Sequence, residues 1–376
     1  MALRSNLPYV EIEHLEDLHI PFPGCTLKHL AFQYIDFTDA GEGVLSCRFE
    51  DCCFLGCVIP PEMQEGLDSS SLVFPRMGMR YKAFTNELYS ADTLYEGYDP
   101  SDDEGTFGTC FDSCVYHDYI VSGKRCDDIK ETLARSIHDL SISNAMNDLL
   151  YRYPEHNVVA VMGGHALKRT DPSYAKVAFI SKKLTEQGYL MVSGGGPGAM
   201  EATHFGAWMA GRSDEDVDVA LHMLSKSPSF KDGGWLRTAF EVRSLFPQTR
   251  FHSLGIPTWF YGHEPATPFA TDIAKYFDNS VREDGIIKIA KGGIIYSPGS
   301  AGTMQEIFQD AAKNHYMTFG CTGPMIFLGE KYYTEEMPVF PLLSDMIERG
   351  KYSNLDISIT DDPHVVIEKI KSIHYV

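Results

Sequence analysis

The chain lacks any uninterrupted apolar stretch of membrane-spanning length, and its opening residues, Met1-Ala2-Leu3-Arg4-Ser5-Asn6, contain no secretory hydrophobic core. It is also poor in positive charge: 32 Lys and Arg stand against 52 Asp and Glu, a formal net charge of −20. That balance disfavours nucleic-acid backbones and anionic membrane surfaces as partners. Neither a Gly-Lys-Ser/Thr phosphate loop nor the dinucleotide-binding glycine spacing is present. The nine cysteines are an odd number, and Cys52, Cys53 and Cys57 have no second pair at zinc-ribbon spacing. The acidic stretch from Tyr95 to Gly108 has neither the glycine nor the glutamate of an EF-hand loop. These absences lead us to expect a cytoplasmic protein with reduced thiols, no metal, no cofactor, no nucleic acid and no membrane contact.

What is present is ample for two domains, with 376 residues of which 44% are apolar. We expect an N-terminal β-rich accessory module with an acidic linker over residues 1–125, and a nucleotide-binding domain over 126–376. From 25 to 59 the inward-type residues recur every five positions: Leu27, Phe32 and Phe37 with Cys25, Leu30 and Ile35, then Phe49, Phe54 and Ile59 with Cys47, Cys52 and Cys57. Neither a helix nor a flat strand has that period, whereas a square β-helix does; the stretch resembles pentapeptide repeats over about two coils. So short a solenoid must cap something else. Asp127 to Leu150 predicts an amphipathic helix with Ile129, Leu133, Ile137 and Leu140 on its apolar face, and Pro363 to Val376 predicts a closing helix carrying Val366, Ile370 and Ile373.

The middle and C-terminal parts repeat one local grammar. Asn157-Val158-Val159-Ala160-Val161-Met162 is an apolar strand that leaves through Gly163-Gly164. A helix with Val177, Ile180 and Leu184 follows, ended by Gly188. The strand Tyr189 to Ser193 enters Gly194-Gly195-Gly196-Pro197-Gly198, and a helix containing Ala199, Met200 and Glu201 leaves it. Later, Gly293-Ile294-Ile295-Tyr296 enters Ser297-Pro298-Gly299-Ser300-Ala301-Gly302-Thr303, and a helix carries Glu306 one turn in. Strand, small-residue turn and helix start together form an anion cradle, because backbone N–H groups and the helix dipole converge there. Alternating strands and helices predict an α/β fold: a Rossmann-like doubly wound parallel sheet with helices on both faces. The run Ile256 to Tyr261 reads as one more strand, ending at His263-Glu264. His165 reads as a loop residue, Glu201 as a first-turn acid complementing the helix dipole, and the segment between Ser213 and Pro257 is an insertion.

Gly194-Gly195-Gly196-Pro197-Gly198-Ala199-Met200 and Pro298-Gly299-Ser300-Ala301-Gly302-Thr303-Met304-Gln305-Glu306 together resemble the Lonely Guy family, whose motif is Pro-Gly-Gly-x-Gly-Thr-x-x-Glu. The first loop is nearer the bacterial nucleotide 5'-monophosphate nucleosidase branch. The resemblance covers roughly residues 155 to 335. It implies hydrolysis of the N-glycosidic bond of a nucleoside 5'-monophosphate to free base and ribose 5-phosphate, in a homodimer or larger assembly. It places the catalytic pair on Glu306 and on Arg282, which lies in a helical segment from Asn279 to Ala290. It also implies that Gly299, Ser300, Ala301, Gly302 and Thr303 hold phosphate, with Gly195, Gly196, Gly198, Met200, Gly163 and Gly164 around the ribose or base. Two departures stand out. Ser300 replaces a glycine, where a Cβ narrows the cradle and restricts φ. Of the cytokinin branch's Met-His-x-Arg-Lys motif only the arginine remains, in Asn279-Ser280-Val281-Arg282-Glu283.

Cleavage of a nucleotide's glycosidic bond develops oxocarbenium character on the sugar, which a carboxylate stabilises while it orients water. That is the role expected of Glu306. Arg282 serves either the departing base or the 5'-phosphate. The alternative is a non-catalytic nucleotide sensor or carrier of the same fold, which Ser300 and the missing lysine favour and an intact Glu306 and Arg282 disfavour. A lysine decarboxylase would need a pyridoxal phosphate lysine at a strand end, whereas Lys288 and Lys291 precede the strand.

Overall fold

A computed structural model describes residues 9–262 and 264–372. The chain forms two units that interleave in sequence. One runs to Leu88 and takes in Ser122–Met146, while the other comprises Tyr89–Val121 and the chain from Asn147 onward.

In the first unit the five-residue spacing becomes short parallel strands. These are β1 (Val10–Ile12), β2 (Thr26–Lys28), β3 (Leu30–Gln33), β4 (Arg48–Glu50), β5 (Cys53–Leu55) and β6 (Leu72–Phe74). They stack as β1-β3-β5-β6 and β2-β4. The register places Leu27 on Phe49 and Phe32 on Phe54. The chain turns corners through His29, Tyr34 and Asp51, all with φ near +50°. Phe32, Phe37, Phe49 and Phe54 are fully buried, with Phe32 and Phe54 stacked at 4.8 Å. Cys25, Cys47, Cys52 and Cys57 fill the remaining interior as free thiols. Burial pushes the Cys47 and Cys57 thiols up to about 11, so they act as small apolar fillers rather than nucleophiles.

The second unit is the α/β body. Its strands are β7 (Val158–Met162), β8 (Leu190–Ser193), β9 (Ser253–Gly255), β10 (Asp272–Ile273), β11 (Ile294–Tyr296), β12 (Met325–Leu328) and β13 (Ile357–Thr360). Its principal helices are α1 (Pro172–Thr185), α2 (Ala199–Trp208), α3 (Asp214–Leu224), α4 (Trp235–Leu245), α5 (Asn279–Ile289), α6 (Ala301–Tyr316), α7 (Val339–Glu348) and α8 (Pro363–Lys371). All seven strands are parallel, in the order β10-β9-β8-β7-β11-β12-β13. Strands β7, β8 and β12 are buried along their whole length, as expected of a parallel sheet covered on both faces. Asp171, Asp278 and Asp362 cap α1, α5 and α8 by accepting from backbone N–H groups two residues on. This is the α/β doubly wound sheet expected from the strand–glycine–helix pattern.

Tyr89–Val121 belongs to this body through specific polar contacts. Tyr89 bridges to Ile273, the Tyr95 hydroxyl donates to the Ala266 carbonyl, and Asp112 accepts from Lys275 at 2.6 Å and from Trp259 at 2.8 Å. Much of the expected acidic loop is short helical turns, with Asp99 and Asp102 as caps. The insertion after Ser213 is part of the core: Ala220, Leu224, Ala239 and Val242 are buried with the sheet's cluster.

Two expectations are corrected. The strand expected over Ile256–Tyr261 is displaced: β9 ends at Gly255, and Trp259–Tyr261 is a 3-10 turn capped by Thr258. The Ile129–Leu150 helix forms, but Ile129 and Leu140 are 78% and 72% exposed. Its buried face is instead Ala134, His138, Ile142, Ala145 and Leu149. The polar groups it buries are paired, Arg135 with Glu131 and His138 with Asp139, so that face is hidden without orphaned charge. The closing helix ends at Lys371; Ile373 lies outside the described residues. No helix among the described residues is long and apolar enough to cross a membrane.

Helices α1 and α2 pack so closely that a Cβ at Gly206 would overlap the Ala178 carbonyl. Alanine ordinarily stabilises a helix over glycine. Here the obstacle is backbone, and Gly206→Ala is expected to destabilise the protein by about 1–3 kcal/mol. Urea unfolding measures this, and a stabilised variant would contradict the packing.

Candidate functional site

The order of the sheet locates the site. The chain starts at β7, builds outward through β8 and β9 to β10, then returns to add β11 on the other side of β7. Strand order therefore reverses between β7 and β11, and a crevice opens beyond their carboxyl ends. Four glycine-bearing turns meet there: Gly163-Gly164 after β7, Gly194 to Gly198 after β8, Gly255 at the end of β9, and Pro298-Gly299 after β11.

The cradle after β11 is closed by backbone contact. Gly164 N–H donates to the Pro298 carbonyl at 3.0 Å, and Ala199 N–H donates to the Gly164 carbonyl. A Cβ on Gly164 would lie 3.2 Å from Gly299 Cα, and one on Gly299 would overlap Thr303 Oγ1. Tyr333 donates its hydroxyl to the Ser297 carbonyl at 2.7 Å, and Tyr332 donates to the Gly299 carbonyl at 2.6 Å. In a trans peptide N–H opposes C=O, so anchoring the Gly299 carbonyl turns Ser300 N–H away from Tyr332. Ser300 is the N-cap of α6, with φ −100°, an ordinary value for a residue with a side chain; the expected restriction of φ does not arise. Ser300, Ala301 and Gly302 are exposed and Thr303 is buried, so the first turn of α6 presents its backbone donors outward.

The loop after β8 needs its glycines. Gly195 and Gly198 have φ of +69° and +72°. A Cβ on Gly195 would meet Pro257 and Ile256, and one on Gly198 would overlap the Gly164 carbonyl. Beneath this loop lies a buried relay. Ser193 Oγ accepts from Gly195 N–H at 3.1 Å and meets His204 Nε2 at 2.7 Å, while His204 Nδ1 meets Ser253 Oγ at 2.9 Å. Burial lowers His204 to about 3, so the imidazole is neutral and works as a bridge, not a charge. Glu201 is also structural. It pairs with Arg169, both side chains fully buried, and Arg169 donates further to Ser227, Thr238 and Trp235.

Arg282, on α5, lays its guanidinium against this loop. Its Nε donates to the Ile256 carbonyl at 2.9 Å, its Nη2 sits where a Gly194 Cβ would be, and its Nη1 is 3.9 Å from Glu283. Met200 fills the space beside Gly194 and Gly196. Arg282 is thus held at the ends of β8 and β9, on the opposite side of β7 from the Gly299 cradle.

Glu306, half-buried on α6, has no hydrogen-bond or ion-pair partner within the described protein. Loss of water pushes its carboxyl up to about 7; Arg282 pulls it back and Glu283 pushes it further up. The fold therefore brings Glu306 and Arg282 into one electrostatic neighbourhood without closing an ion pair between them. Local sequence gave no reason to select Ser193, His204, Tyr332 or Tyr333. The tyrosine pair follows the end of β12, and strand-end position was its one available signal. His165 is indeed a loop residue, and it also meets Glu264 at 3.1 Å; His263 lies outside the described residues. Lys291 pairs with Glu155, away from the strand ends.

No protein-family model matches the chain, and no curated protein matches it in sequence. Solved structures align with part of the chain. A molybdenum cofactor binding protein from the phototrophic bacterium Rippkaea orientalis is 18% identical, over 57% of this chain and 94% of its own, with a TM-score of 0.35. A structural-genomics target is 18% identical over 57% of this chain and 99% of its own, at 0.38. The molybdenum cofactor carrier protein of Chlamydomonas reinhardtii is 11% identical over 57% and 98%, at 0.33.

An acid whose folded pKa lies above its unfolded value of 4.5 weakens the fold as pH rises, because the folded state holds a proton that the unfolded state has released. The penalty grows from pH 4.5 to 7 and is complete above 7. Glu306→Gln is accordingly expected to stabilise the protein by on the order of 1–3 kcal/mol at pH 8 and to have little effect below pH 4.5. Thermal unfolding at the two pH values measures the difference, and an equal effect at both would show that Glu306 is not desolvated.

Proposed function

We propose that the protein hydrolyses the N-glycosidic bond of a nucleoside 5'-monophosphate, releasing free base and ribose 5-phosphate. The observation that carries this reading is Glu306. A carboxyl with no protein partner, set next to an anion cradle, weakens binding of a phosphate and costs stability. Chemistry gives it a purpose. The paired glycine loops, which resemble those of the Lonely Guy family, support the same reading.

In this scheme the phosphate rests on the backbone donors of Gly299 to Thr303, with α6 adding its dipole. The ribose then lies over Gly163, Gly164 and the Gly195–Gly198 loop. Glu306, ionised, stabilises positive charge on the sugar and accepts a proton from the attacking water. The water oxygen bonds to C1', the bond from C1' to the base nitrogen breaks, and the base leaves with the bond's electron pair and takes up a proton. The hold of Ile256 on Arg282, across β7 from the cradle, supports a role for the guanidinium at the ribose and departing base rather than at the phosphate. A carboxyl poised near neutrality suits a base that must cycle its proton at each turnover.

A non-catalytic nucleotide carrier is the second reading. Glu283 favours it: an acid stands where the cytokinin branch of the resembled family has a lysine, and it draws on Arg282 from 3.9 Å.

Base release from a panel of nucleoside 5'-monophosphates, followed by chromatography, separates the two. We expect release by the wild type and a loss of about a hundredfold or more in kcat for Glu306→Gln, with nucleotide binding retained. In the wild type, kcat/KM is expected to fall as pH drops through about 7, because only the carboxylate is active. Binding without any release by the wild type would leave the carrier as the function.

A further inference from the structure

Beyond the cradle, three side chains converge at the outer end of the same crevice, and nothing in the scheme above uses them. His165 directly follows Gly164, whose backbone abuts Gly299. Its Nδ1 lies 3.1 Å from Glu264 Oε1. The second oxygen of Glu264 is 3.8 Å from where a Gly196 Cβ would stand, so the carboxylate overhangs the first glycine loop. The ring of Phe230 meets His165 edge-on, with centroids 5.8 Å apart. Neither His165 nor Glu264 is sequestered; their side chains are 44% and 20% exposed.

The placement and the chemistry agree. A nucleotide whose phosphate sits at Gly299 and whose ribose crosses Gly164 and Gly196 carries its base outward, to where these groups stand. A carboxylate is an acceptor only, so the proton it shares with His165 sits on Nδ1, and the contact orients Glu264 over the loop. Phe230 adds an aromatic surface beside that carboxylate. An exocyclic amino group donates to such a carboxylate, whereas a carbonyl oxygen in the same place faces like charge and goes unpaired.

We propose that Glu264, held by His165 beside Phe230, is the nucleobase subsite and selects bases bearing an exocyclic amino group over their oxo counterparts. This rests on the nucleotide-binding part of the function proposed above, not on hydrolysis. The test uses adenosine and inosine 5'-monophosphates, which differ in this one group. Binding of each is measured by calorimetry to the Glu306→Gln protein, with and without Glu264→Gln, and base release is measured in parallel on a wild-type background. The adenosine nucleotide is expected to bind at least about tenfold more tightly. Glu264→Gln, whose carboxamide can donate to a carbonyl, is expected to shrink that ratio by about tenfold or more. His165→Phe is expected to reduce the ratio too, by releasing the carboxylate that His165 holds in place. An unchanged ratio in Glu264→Gln, with both nucleotides still bound, overturns the subsite and leaves the hydrolase standing. A ratio that collapses in a protein releasing no base overturns the hydrolase and supports the subsite. Failure of both nucleotides to bind any form overturns the subsite together with the reading it rests on.

Discussion

The site depends on the close approach of two backbones at the point where the sheet changes direction. Gly164 N–H reaches the Pro298 carbonyl, and the two turns touch with no room for a side chain on Gly299 and only a tight 3.2 Å approach at Gly164. This contact holds the ends of β7 and β11 together while their helices diverge to opposite faces. The first turn of α6, the Gly195–Gly198 loop and the outward run of His165 all take their positions from it. Any side chain at these glycines would separate the turns and spread the cradle.

Around that contact most polar groups are paired and one carboxyl is not. The groups that shape the loops are buried and satisfied: Ser193, His204 and Ser253 form a neutral relay, Arg169 and Glu201 neutralise each other, and Tyr332 and Tyr333 anchor loop carbonyls. Glu306 is the exception, a carboxyl short of water and of partners. Functional groups commonly carry such a cost, offset by the packing elsewhere. The thiols of the first unit are an opposite case. Cysteine there replaces small aliphatic residues in the interior of a narrow coil, and burial keeps it unreactive.

Much of this is legible in the sequence. Runs such as Val158–Met162 leave a strand no exposed face, so they announce a parallel sheet covered on both sides. Glycine clusters at the ends of such runs announce turns that only glycine can make, as the positive φ of Gly195 and Gly198 bears out. The buried face of the Ile129–Leu150 helix differs from the expected one because periodicity ranks residues by hydrophobicity alone. It does not register that His138 and Asp139 satisfy each other, or that Ala134 and Ala145 permit close packing. The strand near Ile256 was displaced because Trp259 is buried in a turn, stacked on Phe277 at 4.5 Å, and burial by itself does not make a strand.

The sequence by itself determined the α/β class, the places where the chain turns and the residue types at the strand ends, because those follow from short-range sterics and apolar patterning. Only the tertiary structure decided which strand ends adjoin. That decision lays Arg282 against the ends of β8 and β9, gives Tyr332 and Tyr333 their carbonyls, and sets Glu264 beside His165. The reason is physical: proximity across a sheet depends on strand order, and strand order reflects burial summed over the whole domain rather than any local run of residues.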